Sequence, residues 1–295
     1  MQERRLELLV TERQTVDELL RRRLNCSSAV IRTAKQYADG ILLDGVHATT
    51  AQTAQSGQVL SILIAEREDG DLVPGEGQPD IVYEDPDLLV VNKPAGLAVH
   101  PGPGHHDDTL GNQLTAYYKR QGIPFRYRPA HRLDRNTSGL MVVARHAHVQ
   151  ELLKQQLHTG RFKRTYLAVC QGVPESEEGV IDQPIGRREG SVLMRRVRPD
   201  GDRAVTRYQV LSTGSGRSLI RLELETGRTH QIRVHMAWLG CPLVGDFLYG
   251  EEDKTLIGRT ALHSWRLEVT QPLTGVELNL TAPIPEDMER LINLA

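Results

Sequence analysis

The chain has 295 residues, of which 39% are hydrophobic and 4% aromatic, and its formal net charge is −2. This length allows one large domain and one small one. Three widely spaced cysteines without a CxxC pair exclude a disulfide framework and a zinc ribbon. The first residues lack the apolar core of a signal peptide, and no apolar run could span a bilayer. We therefore expect a cytoplasmic protein with no membrane partner.

The first elements in chain order are two short helices. We expect residues 1–12 to be a flexible N-terminus, because they are polar and terminal. Thr15 and Glu18 then form the pattern of a capping box before VDELLRRRL. A second helix is predicted through SSAVIRTAKQYADG, with Ser27 or Ser28 as its N-cap and Gly40 just after its end.

Short strands follow these helices: ILLDG, VHAT and QVLSILI, separated by glycine-containing turns. Two short helices before a small hairpin sheet resemble the alpha-L RNA-binding module, and we assign this domain to residues 13–72. The basic residues on or beside its helices are the candidate RNA contacts, namely Arg21, Arg22, Arg23, Arg32 and Lys35.

A linker and a larger domain complete the predicted organisation. The acidic stretch AEREDGDLVPGEGQPD is rich in Gly and Pro, and we place a flexible linker at residues 73–80. Residues 81–295 then alternate buried strands such as LLVV and LMVVA with few helices. We predict an α+β fold whose second domain contains a largely antiparallel mixed sheet.

Charge in the second domain is concentrated in two basic blocks. The blocks cover residues 126–166 and 187–207, on a chain that is nearly neutral as a whole. Such clustering favours a local anionic partner, for which RNA is the natural candidate. Solvated faces with ordinary ion pairs would give the same composition.

Three segments of this domain carry candidate chemistry. Asp134 lies in the polar loop of HRLDRNTSGL, flanked by arginines, just before a buried strand. Tyr166 lies on the strand RTYLAV, where a tyrosine is usually a core residue. In ETGRTHQIRVH, Thr229 could cap a helix that carries His230 and Arg233 three residues apart. Taken singly, each residue could also be explained by ion pairing or packing.

Together the three segments, preceded by VVNKPAGLAVHPG and followed by PLVGDFLYG, resemble the RluA-type family of RNA pseudouridine synthases. The resemblance covers residues 80–295. It implies that Asp134 is the essential aspartate, Tyr166 the tyrosine that stacks on the base, and Arg233 the basic partner of Asp134. Arg132 matches an arginine that enters the RNA stack where the target uridine leaves.

The implied reaction moves uracil from a nitrogen–sugar bond to a carbon–sugar bond. A stacked uridine must first be flipped out of its helix, which costs a few kcal/mol. Asp134 could then attack the anomeric carbon as a nucleophile or remove a proton from the neighbouring sugar carbon, and the sequence leaves both routes open. Neither route requires a metal or another cofactor, and we expect none.

The expected partner is structured RNA: ribosomal RNA of the large subunit is favoured and transfer RNA is the alternative. We expect a monomer, and we expect Arg233 to contact Asp134 because a buried carboxylate needs a charged partner. A non-catalytic ribosome-assembly factor would have the same basic faces without isomerising uridine. A glycosidic-bond hydrolase usually needs two carboxylates, and Asp134 has no acidic companion in its segment.

Overall fold

A computed structural model describes residues 4–293 of the chain. The residues form a small N-terminal unit and a large mixed α/β unit, each with its own hydrophobic core. Within this range no helix is long and apolar enough to cross a membrane.

The small unit combines a four-stranded sheet, a two-stranded sheet and two helices. Its elements are β1 (Arg5–Leu9), β2 (Gln14–Thr15), α1 (Val16–Arg22), α2 (Ser28–Ala34), β3 (Ile41–Leu43), β4 (Val46–His47), β5 (Thr53–Ala54) and β6 (Val59–Leu63). The larger sheet has the order β1-β6-β3-β4. Apolar faces of both helices pack onto it through Leu20, Ile31 and Ile62, all fully or almost fully buried.

Both predicted helix starts are confirmed. Thr15 forms the capping box with Glu18, and the Ser27 hydroxyl accepts the Val30 amide. The second helix is shorter than predicted. It ends at Ala34, and the residues between Ala34 and Gly40 form turns.

The predicted flexible N-terminus over residues 1–12 is wrong for residues 5–9, which form β1 and pair antiparallel with β6. Residues 1–3 lie outside the described part. The polar sequence of this segment gave no sign of a strand. Its pairing partner, β6, is more than fifty residues away, and local sequence patterns do not predict pairing over such distances.

The large unit contains a ten-stranded sheet with helices on both faces. Its elements are β7 (Ile81–Glu84), β8 (Leu88–Lys93), α3 (Leu110–Arg120), β9 (Arg128–Pro129), β10 (Ser138–Ala144), α4 (Ala147–Thr159), β11 (Phe162–Gln171), β12 (Glu178–Asp182), β13 (Ile185–Arg187), β14 (Arg195–Val197), β15 (Val205–Gly214), β16 (Arg217–Leu224), α5 (Gln231–Trp238), β17 (Leu262–Thr270), β18 (Glu277–Thr281) and α6 (Glu286–Asn293).

The order of the large sheet is β12-β15-β16-β11-β17-β10-β8-β7, with β18 beside β17 and β9 beside β10. Neighbouring strands are antiparallel except β10 and β17, which are parallel. The predicted α+β class and largely antiparallel mixed sheet are therefore confirmed. Strands β8 and β10 are not edge strands, and they are covered on both faces, by α3 on one side and α4 on the other. Burial on both faces explains their unbroken apolar runs.

The parallel junction between β10 and β17 is unusually close. Gly139 has a φ of +107°, and a Cβ atom built on it would lie 2.2 Å from the carbonyl oxygen of Ser264. Only glycine fits this approach. The junction fixes the start of β10, and with it the loop that precedes this strand.

The segment predicted as a flexible linker, residues 73–80, lies against the large unit at its start. The Asn112 side-chain amide donates to the Val73 carbonyl at 2.8 Å, and the Gly75 amide donates to the Asn112 carbonyl at 3.0 Å. These bonds to α3 anchor the segment, so its Gly- and Pro-rich composition does not give the free linker that we expected.

A buried carboxylate joins the two units. Asp87 is 1% exposed and accepts both Nε and Nη2 of Arg4 from the small unit, at 2.7 and 2.9 Å. His146 and Gln271 of the large unit contact the same carboxylate at 3.1 and 2.8 Å. Leu273 packs on the core of the small unit beside them. The small unit is thus docked on the large one, although a flexible linker between them was predicted.

The ionised Asp87 carboxylate should make the free energy of unfolding depend on pH. Desolvation alone would raise its pKa, but the hydrogen bonds from His146, Arg4 and Gln271 outweigh burial and hold the pKa below the ordinary value of 3.8. A carboxyl whose folded pKa is depressed stabilises the fold above its unfolded pKa, and this stabilisation is lost as pH falls through the folded pKa.

We therefore expect Asp87→Asn to lower the free energy of unfolding by about 2 kcal/mol at pH 7. The difference from the unsubstituted protein should shrink as pH falls below about 4. Urea unfolding at several pH values measures this, with Asp71→Asn at an exposed carboxylate as control. A difference that stays constant down to pH 2 would rule out the role of the Asp87 charge.

Candidate active site

Arg233 is the centre of a charge cluster at the start of α5. Its guanidinium is 5% exposed and donates Nε and Nη2 to the two oxygens of Asp246, at 2.6 and 2.7 Å. Its remaining Nη1 lies 3.3 Å from Oδ2 of Asp134. Desolvation opposes its charge, but the bonds to Asp246 and the nearby Asp134 raise the pKa of Arg233 above its usual value. The contact that we predicted between Arg233 and Asp134 is confirmed.

Asp246 holds the cluster in place and was missed from the sequence. Its side chain is fully buried, and its Oδ1 also accepts the backbone amides of Leu248 and Tyr249. The residue belongs to the PLVGDFLYG segment, which only the family resemblance marks as significant. A single Asp in a loop gave no local signal that it would pair with an arginine on another element.

Asp134 lies in the loop before β10, and backbone contacts fix this loop. The Asp134 carbonyl accepts the Thr137 amide at 3.0 Å, and the next carbonyl, of Arg135, accepts both the Gly96 amide and Nζ of Lys93. Lys93 is fully buried and also donates to two carbonyls of its own loop. The Asp134 side chain remains partly open to solvent, at 19% exposure.

The two carboxylate oxygens of Asp134 have different surroundings. Arg233 and His230 both approach Oδ2, the latter with Nε2 at 3.9 Å. Among residues 4–293 no side chain or amide donates a hydrogen bond to Oδ1. One oxygen is therefore held by the protein and the other is available to a bound molecule.

Tyr166 and Arg132 line an open cleft of about 520 Å³ that also contains Asp134. Tyr166 lies on β11 with only 3% exposure, and burial raises the pKa of its hydroxyl, so the neutral phenol is the stable form. Arg132 is exposed at the rim. Arg164, Arg203 and Arg228 also line this cleft, which gives it a cationic wall suited to phosphate groups.

A buried histidine, His131, also lines the cleft. Burial, with help from Arg164, lowers the pKa of His131 to about 3, so the ring is neutral. Its Nε2 accepts the Val142 amide at 3.2 Å, which leaves a structural role for this residue of the HRLD segment.

The structure brings together Asp134, Tyr166, Arg233 and Arg132, which we predicted as site residues. The five N-terminal candidates lie elsewhere, exposed on the small unit, and none contacts this cluster within the described part of the chain. Arg21 is paired with Asp17 at 2.7 Å. The predicted helix cap at Thr229 is wrong, because the N-cap residue is His230, with a left-handed φ of 58°.

Comparisons with known proteins point to one kind of enzyme. A family model described as RNA pseudouridylate synthase matches residues 87–238. The chain is 38% identical over 293 residues to an uncharacterized RNA pseudouridine synthase of Bacillus subtilis, covering 98% of this chain and 96% of that protein. It is 39% identical to ribosomal large subunit pseudouridine synthase D of Escherichia coli, covering 81% and 77%.

A solved structure gives the same result. Human RNA pseudouridylate synthase domain containing 1 superposes with a TM-score of 0.59 at 26% identity, covering 75% of this chain and 96% of that one. This likeness agrees with the sequence matches.

The Arg233–Asp246 pair should be essential to the fold of the site. Asp246→Asn leaves a buried arginine without its bidentate partner, and we expect the free energy of unfolding to fall by about 3 to 5 kcal/mol. Denaturant unfolding measures this loss of stability.

The matched control is Asp200→Asn, which breaks a bidentate pair with Arg198 of similar geometry at an exposed position. Exposed pairs contribute little, so this variant should unfold almost as the parent does. Equal losses from the two substitutions would contradict the importance of burial at Asp246.

Proposed function

Because the chain belongs to the RNA pseudouridylate synthase family, and so isomerises uridine to pseudouridine in RNA, we propose that Asp134 is the catalytic carboxylate and that its substrate is structured ribosomal RNA of the large subunit. The resemblance to the RluA-type family is confirmed by these relatives, and the non-catalytic assembly factor is set aside. The observation that carries the assignment of Asp134 is its partly open carboxylate, held by Arg233 at the floor of a cationic cleft.

Each side chain of the cleft then has a role suited to its chemistry. The flipped uracil stacks on Tyr166, a contact worth roughly 1–3 kcal/mol. Arg132, exposed at the rim, enters the RNA stack at the vacated position, where its planar guanidinium can stack on the neighbouring bases. Arg164, Arg203 and Arg228 contact phosphates.

Asp134 reacts through the oxygen that the protein leaves open. As a nucleophile, Oδ1 attacks the anomeric carbon, and the base leaves with the electrons of the nitrogen–sugar bond. As a base, it removes a proton from the neighbouring sugar carbon, and uracil leaves with the electrons of the nitrogen–sugar bond to give a glycal. In both routes uracil then turns within the cleft. Its carbon 5 bonds to the anomeric carbon as the Asp134 ester breaks, or as the glycal regains its proton from Asp134, and carbon 5 finally loses its hydrogen as a proton. Arg233 stabilises the carboxylate as an anion, which both routes require.

The small unit supplies RNA affinity in this proposal, as an alpha-L module. Arg22, Arg32 and Lys35 are exposed on or beside its helices, and such side chains bind phosphates irrespective of sequence. Docking through Asp87 places this surface at a fixed position relative to the cleft, so a long RNA would contact both units at once.

Asp134→Asn should abolish isomerisation, because an amide can neither attack the sugar nor accept its proton. The substitution is nearly isosteric, so folding and RNA affinity should change little. Tritium release from carbon-5-labelled RNA measures turnover, and a filter assay measures binding. Turnover near the unsubstituted rate would remove Asp134 from the mechanism.

The substrate is tested by mapping pseudouridine in ribosomal and transfer RNA from cells that lack the gene, complemented with either the parent or Asp134→Asn. Pseudouridines that are restored by the unsubstituted protein and not by Asp134→Asn should lie in large-subunit ribosomal RNA. Sites restored in transfer RNA alone would overturn this part of the proposal.

The triple substitution Arg22→Gln, Arg32→Gln, Lys35→Gln should weaken binding to long structured RNA. It should also reduce the slope of log affinity against log salt by about two to three, since each lost phosphate contact removes roughly 0.9. A short stem-loop that reaches only the cleft should bind unchanged. If the melting temperature falls while the salt slope is unaltered, the small unit serves stability rather than affinity.

A further inference from the structure

His230 has a strained backbone beside Asp134. It is the N-cap residue of α5 with φ 58° and ψ 21°, a left-handed conformation that non-glycine residues seldom adopt. Its side chain does not cap the helix. Residues held in this region cluster at functional sites, where the surrounding structure compensates for the strain. The conformation turns the imidazole toward Asp134 instead of toward the helix end.

A short hydrogen-bond chain fixes the orientation of this imidazole. Nδ1 of His230 lies 2.8 Å from the Tyr249 hydroxyl, which also accepts the backbone amide of Arg195 at 2.8 Å. The Arg195 amide uses one lone pair of this hydroxyl, and the phenolic proton can be donated to Nδ1. In that arrangement the proton of the neutral ring is on Nε2, the nitrogen that faces Oδ2 of Asp134.

The neutral state of the ring is consistent with its surroundings. Burial lowers the pKa of His230, Asp134 opposes that shift, and Arg233 reinforces it. A neutral ring with its proton on Nε2 is a donor toward the carboxylate. At 3.9 Å the contact is longer than a hydrogen bond, and it can shorten when a substrate closes the site.

We infer that His230 and Tyr249 are positioning residues, which couple the orientation of the Asp134 carboxylate to the hairpin formed by β13 and β14. The inference rests on the proposed role of Asp134. His230 holds Oδ2 from one side while Arg233 holds it from the other, and so directs Oδ1 to the sugar. Tyr249 fixes the tautomer of His230 and connects it to the backbone of Arg195 on β14.

The hairpin is also suited to contact RNA. Arg187 and Arg195 line an open groove of about 330 Å³ together with Arg228. The same Arg195 thus lines the groove and donates its backbone amide to Tyr249, while Nη1 of its guanidinium contacts the carbonyls of residues 192–194. A phosphate bound in this groove would steady the hairpin and, through Tyr249 and His230, the catalytic carboxylate. RNA engagement there would act on the rate of the chemical step as well as on affinity.

Two substitutions at His230 distinguish the contributions of its two ring nitrogens. The amide nitrogen of His230→Gln can take the place of Nε2, whereas that of His230→Asn can take only the place of Nδ1. In single-turnover assays we expect His230→Asn to lower the rate of the chemical step about tenfold, the effect of losing one well-aligned contact. Because a Gln amide donates without any tautomer for Tyr249 to fix, His230→Gln should stay within about threefold of the parent, and the RNA dissociation constant should be unchanged in both.

Tyr249→Phe removes only the hydroxyl and should also slow the chemical step, by about tenfold. If His230 and Tyr249 act through one hydrogen-bond chain, their effects should not add. The chemical step in the double variant His230→Asn, Tyr249→Phe should then be no slower than in the slower of the two single variants. Tyr117→Phe, which removes a hydroxyl bound to Glu84 far from the cleft, is the matched control and should react as the parent does.

The outcomes separate this inference from the proposed function. Activity in Asp134→Asn would refute the role of Asp134 itself. An inactive Asp134→Asn beside a His230→Asn variant within twofold of the parent would overturn the positioning role alone. Equal losses in His230→Gln and His230→Asn, or rates that follow the melting temperature across all variants, would reduce His230 to a structural residue.

Discussion

A single buried guanidinium, that of Arg233, determines how the site is arranged. It lies between two carboxylates and binds them unequally: both of its bonds to Asp246 are shorter than 3 Å, whereas its contact with Asp134 is 3.3 Å. The stronger pair anchors the arginine to the chain beyond α5. The weaker contact orients Asp134 and leaves its carboxylate partly open to solvent. One arginine thus anchors the site through Asp246 and, on the proposed mechanism, also orients the reactive carboxylate.

The sheet brings the parts of this cluster together from distant places in the chain. Asp134 precedes β10, Tyr166 lies on β11, and β17 runs between these two strands. The close approach at Gly139 sets the distance between β10 and β17. The small residue in the TSG segment is therefore as much a part of the site as the charged residues before it, because a side chain there would push the Asp134 loop away from the tyrosine.

Much of this arrangement could be predicted from sequence, because the signals were local. The capping pattern at Thr15, the buried runs of β8 and β10, and the dense motifs around Asp134 and Arg233 each lie within a few residues. What sequence reasoning missed depends on distant partners: the pairing of β1 with β6, the docking of Arg4 on Asp87, and the bond from Asp246 to Arg233. His230 was recognised in the sequence only as a helix neighbour of Arg233, because the role that we infer for it depends on a backbone conformation that its neighbours do not specify.

The joint at Asp87 also has a consequence for the order in which the chain acquires its structure during synthesis. Every residue of the small core before the linker is made first, so that core can form while the ribosome is still elongating the chain. The carboxylate of Asp87 can bind Arg4 early, but it gains His146 and then Gln271, which lies 184 positions after Asp87, only later. Until Gln271 leaves the exit tunnel, the joint between the two units lacks part of its hydrogen bonds. Completion of this joint is thus among the last steps of folding during synthesis.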